Sequence, residues 1–173
     1  MRRGKILAAL VALQLGLALL WRGVESARAP EAPLAWESLD APAPALVVVR
    51  QGLPHPVPPE THLVHFWATW CGPCLTELPE LLEACEDEGV PLLAVTSEPW
   101  PDIASWFGGQ VPGAIVRDPD GRTVTDWQVS GLPDTFLVED GRLIARMGGP
   151  RDWSSPTARR FLGEVAAGRA GRL

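Results

Sequence analysis

The sequence predicts an α/β sandwich in which a mixed sheet lies between helices. Two observations carry that expectation. Apolar runs of strand character alternate with stretches of helical spacing along residues 46–167, in the order strand, helix, strand, helix, strand, hairpin, helix. A chain of 173 residues with 46% hydrophobic content is also large and apolar enough to bury one real core, with some length left over for an appendage.

The leftover length lies at the start. Residues 1–23, MRRGKILAALVALQLGLALLWRG, join a basic end to 16 residues from Ile6 to Trp21 broken only by Gln14 and Gly16. That run falls between a signal-peptide core and the ~20 residues of a membrane span. Both readings export the remainder of the chain, because Arg2, Arg3 and Lys5 favour the cytoplasmic side. Trp21-Arg22 suits an interfacial anchor, so the expectation is a single N-terminal anchor in the bacterial cytoplasmic membrane with the domain outside the cytoplasm. A soluble periplasmic form results instead if residues 1–26 are cleaved. Residues 24–45, rich in Ala and Pro, read as an extended tether. The domain is expected over 46–168, with a tail at 169–173.

Within that domain each element has a local reason. LVVVR (46–50) and HLVHFWA (62–68) are β-branched or aromatic runs, and residues 71–88 have helical spacing. VPLLAVTS (90–97) is a strand and 100–107 a short helix. GAIVRDPDGRTV (113–124) is a strand entering an Asp-Pro-Asp-Gly turn. TFLVEDGRLIARMG (135–148) alternates about Glu139-Asp140-Gly141, a hairpin signal, and 157–167 closes the domain as a helix.

Charge narrows the partners. Residues 1–23 hold four basic groups and no acid, whereas the rest holds 11 Arg against 21 Asp and Glu, a balance of −10. Such a body lacks the basic face that nucleic acid requires. Lys5 is the only lysine, which removes any mechanism that needs a buried lysine in the domain.

Cys71, Cys74 and Cys85 are too few for a disulfide scaffold. For the pair Cys71-Gly72-Pro73-Cys74, zinc would need two more ligands, and His55, His62 and His65 do not supply them at suitable spacing. Haem attachment would need His at position 75, which is Leu. A structural bridge across so short a loop removes little chain entropy. Redox chemistry fits best, without a metal or other cofactor. A cysteine that comes after a strand and opens a helix lies where free N–H groups and the positive dipole end stabilise a thiolate, so Cys71 is the expected nucleophile. Cys74, one turn in, is the expected resolving thiol that expels a bound partner. Gly72 allows close approach of a substrate chain, and Pro73 is tolerated in the first helical turn. Trp67 is expected beneath the pair, Trp70 beside it at the surface in contact with partners, and Cys85 as an inert core thiol on the stripe of Leu78, Leu81 and Leu82. Trp153 is expected to pack the last turn.

FWATWCGPC, followed at five residues by Pro79, resembles the active site of thioredoxin-like proteins. The continuation CLTELP, then DPDG and VSGLPDTFLVEDGRLIARMGG, is similar to the membrane-tethered TlpA/ResA/CcmG-like branch over about residues 46–167. The resemblance implies a thioredoxin-like fold and a thiol–disulfide oxidoreductase that reduces protein disulfides outside the cytoplasm. It further implies a membrane or extracytoplasmic dithiol donor that recharges the pair. Roles in cytochrome c maturation, in metal-site assembly or in broad disulfide reduction all remain open. It implies too that Pro133 is a cis-proline against the disulfide, with the backbone of Leu132 pairing with substrate; an ordinary turn proline is the alternative. The proline-rich stretch holding Pro54, Pro56, Pro58 and Pro59 departs from the family pattern. A Cu(I) chaperone, or a non-catalytic binding module of the same fold, is the rival from another class.

Two residues concern the proton that Cys74 must lose. Thioredoxins keep a buried Asp at the position of His65, paired with a Lys; here both are absent. The resemblance points instead to Glu77 for proton transfer or pKa tuning, against a solvated carboxylate on the helix face. His65, on a strand expected to be buried on both faces, is either a proton acceptor or a core histidine satisfied by a backbone carbonyl.

Overall fold

A computed structural model describes residues 34–169. The expected anchor or signal at 1–23 and most of the tail lie outside the described residues. Among the described residues no helix is long and apolar enough to cross a membrane.

The strands are β1 Glu37–Pro42, β2 Val49–Arg50, β3 Leu53–Pro54, β4 His62–Phe66, β5 Leu92–Thr96, β6 Ile115–Arg117, β7 Asp134–Glu139 and β8 Arg142–Gly148. The helices are α1 Gly72–Glu88, α2 Trp100–Trp106, α3 Arg122–Asp126 and α4 Pro156–Ala166. The eight strands of the described residues form one sheet in the order β1-β8-β7-β4-β5-β6-β2-β3. β4 runs parallel to β5 and antiparallel to β7, so the sheet is mixed, as expected. Centrality explains the composition of β4: all five of its residues are buried.

Alternation along the strands divides the core. Leu63, Leu137, Ala145 and Met147 pack with Leu81, Ala84 and Cys85 of α1 and with Phe161, Leu162 and Val165 of α4. Val64, Phe66, Leu93, Val95, Phe136 and Val138 meet Trp127 on the opposite face. Thus α1 and α4 cover the face to which His65 belongs by its period of two from Leu63.

Three expectations need correction. The tether does not run to residue 45: β1 pairs with β8, and the Arg151 guanidinium donates to the Ala35 carbonyl at 3.1 Å, so the folded unit begins by Leu34. The run at 46–50 yields only Val49–Arg50, which turns back into β3 through Gln51 and Gly52, both with positive φ. The segment at 113–124 is strand up to Arg117 and then the Asp-Pro-Asp-Gly turn, as expected, and only its last residues differ. Its end is a short helix, α3, whose Thr123 N–H donates to the Asp118 carboxylate at 2.8 Å.

Candidate functional site

The helix opens on a sulfur. Cys71 is the N-cap of α1, with φ −88° and ψ 97°, and its Sγ accepts the Cys74 N–H at 3.3 Å. The two sulfurs are bonded, 2.07 Å apart. Cys71 keeps a sliver of exposed surface and Cys74 none, which leaves Cys71 as the sulfur a partner can reach. Pro73 occupies the first helical turn, where a missing N–H costs nothing. Gly72 and Pro73 are exposed beside the pair.

The aromatic neighbours lie as expected. Trp67 is buried, with Trp106 and Phe107 ring centroids at 5.6 and 5.9 Å, whereas Trp70 is 75% exposed beside Cys71. Between these residues the strap is tied by Glu98. Its carboxylate accepts the Thr69 backbone N–H at 2.6 Å and the Thr69 hydroxyl at 2.5 Å. The Leu132–Pro133 bond is cis, and Leu132 packs on the cluster that holds Cys71 and Cys74. A groove of about 610 Å³ runs between Trp70 and residues 129–132, with Val124, Thr96 and Glu98 in its walls.

Behind the sulfurs lies a buried polar chain. Glu77 is one helical turn past Cys74 on the same face and is 2% exposed, so it is no solvated helix-face carboxylate. Its Oε2 accepts the Arg151 backbone N–H at 2.6 Å, while Oε1 faces His65 Nε2 at 3.8 Å. Neither of those facing atoms has a hydrogen-bond partner among the described residues. The other ring nitrogen, Nδ1, shares a hydrogen bond of 2.9 Å with the Thr135 hydroxyl, the residue directly opposite on β7. The satisfied-core reading of His65 is therefore right about burial and wrong about the partner, which is a side chain rather than a carbonyl.

The two groups respond oppositely to burial. Desolvation pushes Glu77 up to about 7, with the Arg151 N–H, the Trp153 indole and the Arg151 charge pulling back and Glu80 adding to the rise. The Trp153 indole N–H favours the carboxylate from nearby without making a hydrogen bond of normal geometry. Desolvation also pushes His65 down to about 3. The imidazole is thus neutral at physiological pH, and the ordinary value near 6.5 does not apply to it. Cys85, buried, is pushed up to about 12 and is an inert core thiol, and Trp153 is buried with Phe161 and Leu162.

Four contributors escape the sequence reading: Thr135, Glu98, the Arg151 backbone and Arg146. Arg146 donates to the buried Asp134 carboxylate from Nε at 3.1 and 3.2 Å and from Nη2 at 2.7 Å. The Ser-Gly-Leu-Pro-Asp stretch signals a turn, but nothing in it announces a partner 12 residues on.

Comparison with known proteins agrees with this geometry. The HelX thiol:disulfide interchange protein of Rhodobacter capsulatus is 38% identical over 92 residues, which cover 51% of this chain and 52% of that protein. A DsbE homolog of Paracoccus denitrificans, also a thiol:disulfide interchange protein, is 36% identical over 114 residues, covering 62% of this chain and 60% of its own length. The chain thus spans between half and three fifths of the length of these relatives. Among solved structures, a putative DsbE thiol:disulfide interchange protein from Chlorobium tepidum superposes with a TM-score of 0.58 at 23% identity, over 79% of this chain and all of the other, and establishes the thioredoxin-like fold. The model of the AhpC/TSA family matches residues 59–147, from before β4 to within β8, and the chain belongs to that family.

Proposed function

We propose that the protein is an extracytoplasmic thiol–disulfide oxidoreductase that reduces disulfides in other proteins. The observation that carries this reading is the Cys71–Cys74 bond at the N-terminus of α1, with the outer sulfur at the helix cap and the inner one sealed. In the reduced enzyme the Cys71 thiolate attacks a substrate disulfide, and one substrate thiolate leaves as the mixed disulfide forms. Cys74 then loses its proton and attacks Cys71 Sγ, which releases the second substrate thiolate and closes the Cys71–Cys74 bond. Two electrons pass to the substrate, and a dithiol donor returns two to the pair. Anchoring through residues 6–21 would hold the domain at the outer face of the cytoplasmic membrane, where such disulfides occur.

The Cys74 proton has a natural acceptor in Glu77. A carboxyl group with a pKa near 7 is partly ionised at neutral pH and can both take and return a proton. His65 serves it as a neutral neighbour. Its Nε2, 3.8 Å from Oε1, is one small movement or one water from a hydrogen bond. Trp70 and the Leu132 backbone would receive the extended substrate chain beside Cys71.

The test uses the full chain, reduced beforehand, with insulin as substrate. Wild-type protein is expected to precipitate the insulin B chain, and the Cys71→Ser/Cys74→Ser variant is not. Equal rates for the two would end the reading. The single variant Cys74→Ser should arrest at the mixed disulfide and hold its partner covalently.

A further inference from the structure

The loop of residues 128–133 joins α3 to β7 and brings Leu132 to the edge of the disulfide cluster. It is six residues long, opens on Gln128 with φ 54°, and contains Gly131, so its own chemistry does not fix one shape. Something outside it must. On one side the Gly149 N–H donates to the Pro133 carbonyl at 2.9 Å. On the other stands Arg146 of β8, whose cross-strand partner is Phe136 and whose guanidinium lies 5.4 Å from the centre of that ring.

That guanidinium makes an unusual set of contacts. Besides its three to Asp134, Nη2 donates to the Gln128 carbonyl at 3.3 Å and reaches the Ser130 hydroxyl at 3.5 Å. Residues 128, 130 and 134 are the beginning, the middle and the exit of the loop. One planar group therefore clasps both ends of the segment whose crest, Ser130 to Leu132, forms a wall of the groove beside Trp70. A guanidinium suits the task because its donors diverge in one fixed plane; an ammonium at the same place would keep the charge but not reach three acceptors from one geometry. Asp134, 1% exposed, holds Arg146 in that plane.

We propose that Arg146 is a positioning residue for substrate binding: it presets the loop of residues 128–133 so that the Leu132 backbone is ready to pair with an extended chain at Cys71. The inference rests on the disulfide-reductase reading above. It touches binding and leaves the sulfur chemistry alone, because among the described residues the Arg146 guanidinium bonds the loop and Asp134 and lies against Phe136.

Arg146→Lys is the decisive variant, since it retains a cation for Asp134 while losing the fork. In turnover of a disulfide-containing peptide, KM should rise about fivefold to tenfold with kcat within about twofold, as expected for an interaction lost equally from ground and transition states. Alkylation of the reduced Cys71 by iodoacetamide should keep the same rate and the same apparent pKa. Amide hydrogen exchange at residues 129–132 should accelerate, a readout that survives even if the protein turns over no peptide. Asp134→Asn provides the second variant: an amide oxygen still accepts from Arg146 and the ties to Gln128 and Ser130 remain, so KM should rise less than in Arg146→Lys, and an equal or larger rise would overturn the proposal. An unchanged KM and unchanged exchange in Arg146→Lys would overturn the proposal, as would a shift of the Cys71 pKa equal to the loss of turnover, which would mean action through charge. A wild-type chain that reduces no peptide, together with faster loop exchange in Arg146→Lys, would sink the reductase reading and leave the loop clasp standing.

Discussion

Among the described residues three carboxylates are buried, Glu77, Asp118 and Asp134, and the first and last of them are supported in opposite ways. Asp134 carries a fork of three bonds from Arg146, a full opposite charge. Glu77 has one backbone N–H from Arg151 and, facing its other oxygen, a neutral imidazole. Burial raises the pKa of both, but Arg146 counters it at Asp134, whereas nothing comparable acts at Glu77, which rises to about 7. At Asp134 the committed cation opposes the rise that burial imposes on the carboxyl. Glu77, without one, is pushed up to about 7, one helical turn past Cys74. The domain thus separates holding from titrating, and it does so by the choice of partner.

The largest expected effect comes from breaking the committed pair. Arg146→Ala leaves a carboxylate in the interior with no cation, and such a loss costs about 3–5 kcal/mol. Urea denaturation of the oxidised protein at pH 7 measures it. A loss under about 1 kcal/mol would mean that Asp134 is as poorly compensated as Glu77, and the contrast would collapse.

A middle-sized effect concerns pH. Between about 4.5 and 7 the native state holds a proton on Glu77 that the unfolded chain has released, so this group makes stability fall as pH rises through that window. His65 acts in the other direction. Between about 3 and 6.5 the unfolded chain holds a proton that native His65 lacks, so this group makes stability rise with pH and is fully favourable only above 6.5. Over pH 4.5 to 6.5 the two slopes oppose one another and largely cancel. Glu77→Gln should unmask the histidine: relative to wild type, its stability rises by about 2–3 kcal/mol across those two pH units. His65→Asn should unmask the acid and fall by a similar amount. Denaturant titrations at pH 4.5 and 6.5 decide the matter, and parallel curves for all three proteins would show that neither group is shifted.

How much of this was legible depended on distance along the chain. The redox pair was readable because all its parts are local: strand, cysteine, glycine, proline and helix come within a dozen residues, and cap chemistry does the rest. The central strands were readable because burial on both faces makes a continuous apolar run, and His65 stood out against that run. Partners were not readable. Thr135 meets His65 from 70 residues away and Arg151 meets Glu77 from 74, and neither residue type is unusual where it occurs. Nothing in the sequence marks Glu98, which ties the Thr69 strap from 29 residues away. Strand β1 was missed for a different reason: five of its six residues are exposed and it ends in Pro42, so it has no period of two, and only the waiting edge of β8 makes it a strand.

That edge also supplies the smallest expected effect. Asp40 on β1 pairs with Arg142 on β8, and its Oδ1 accepts from both Nε and Nη2, the two nitrogens that Arg146 uses on Asp134. The side chains differ in exposure, however: 82% for Asp40 and 44% for Arg142, against 1% and 24% for Asp134 and Arg146. In water the ions were never costly to solvate, so their pairing gains little and is further screened by salt. Asp40→Asn should therefore change stability by less than about 0.5 kcal/mol at moderate ionic strength. The same two donor nitrogens, converging on one oxygen of Asp40 and spread over both oxygens of Asp134, would then differ in worth by several-fold within one strand. A loss at Asp40 as large as that at Arg146 would mean that the fork itself, and not the burial of its acceptor, sets the energy, and the division between holding and titrating acids would need another cause.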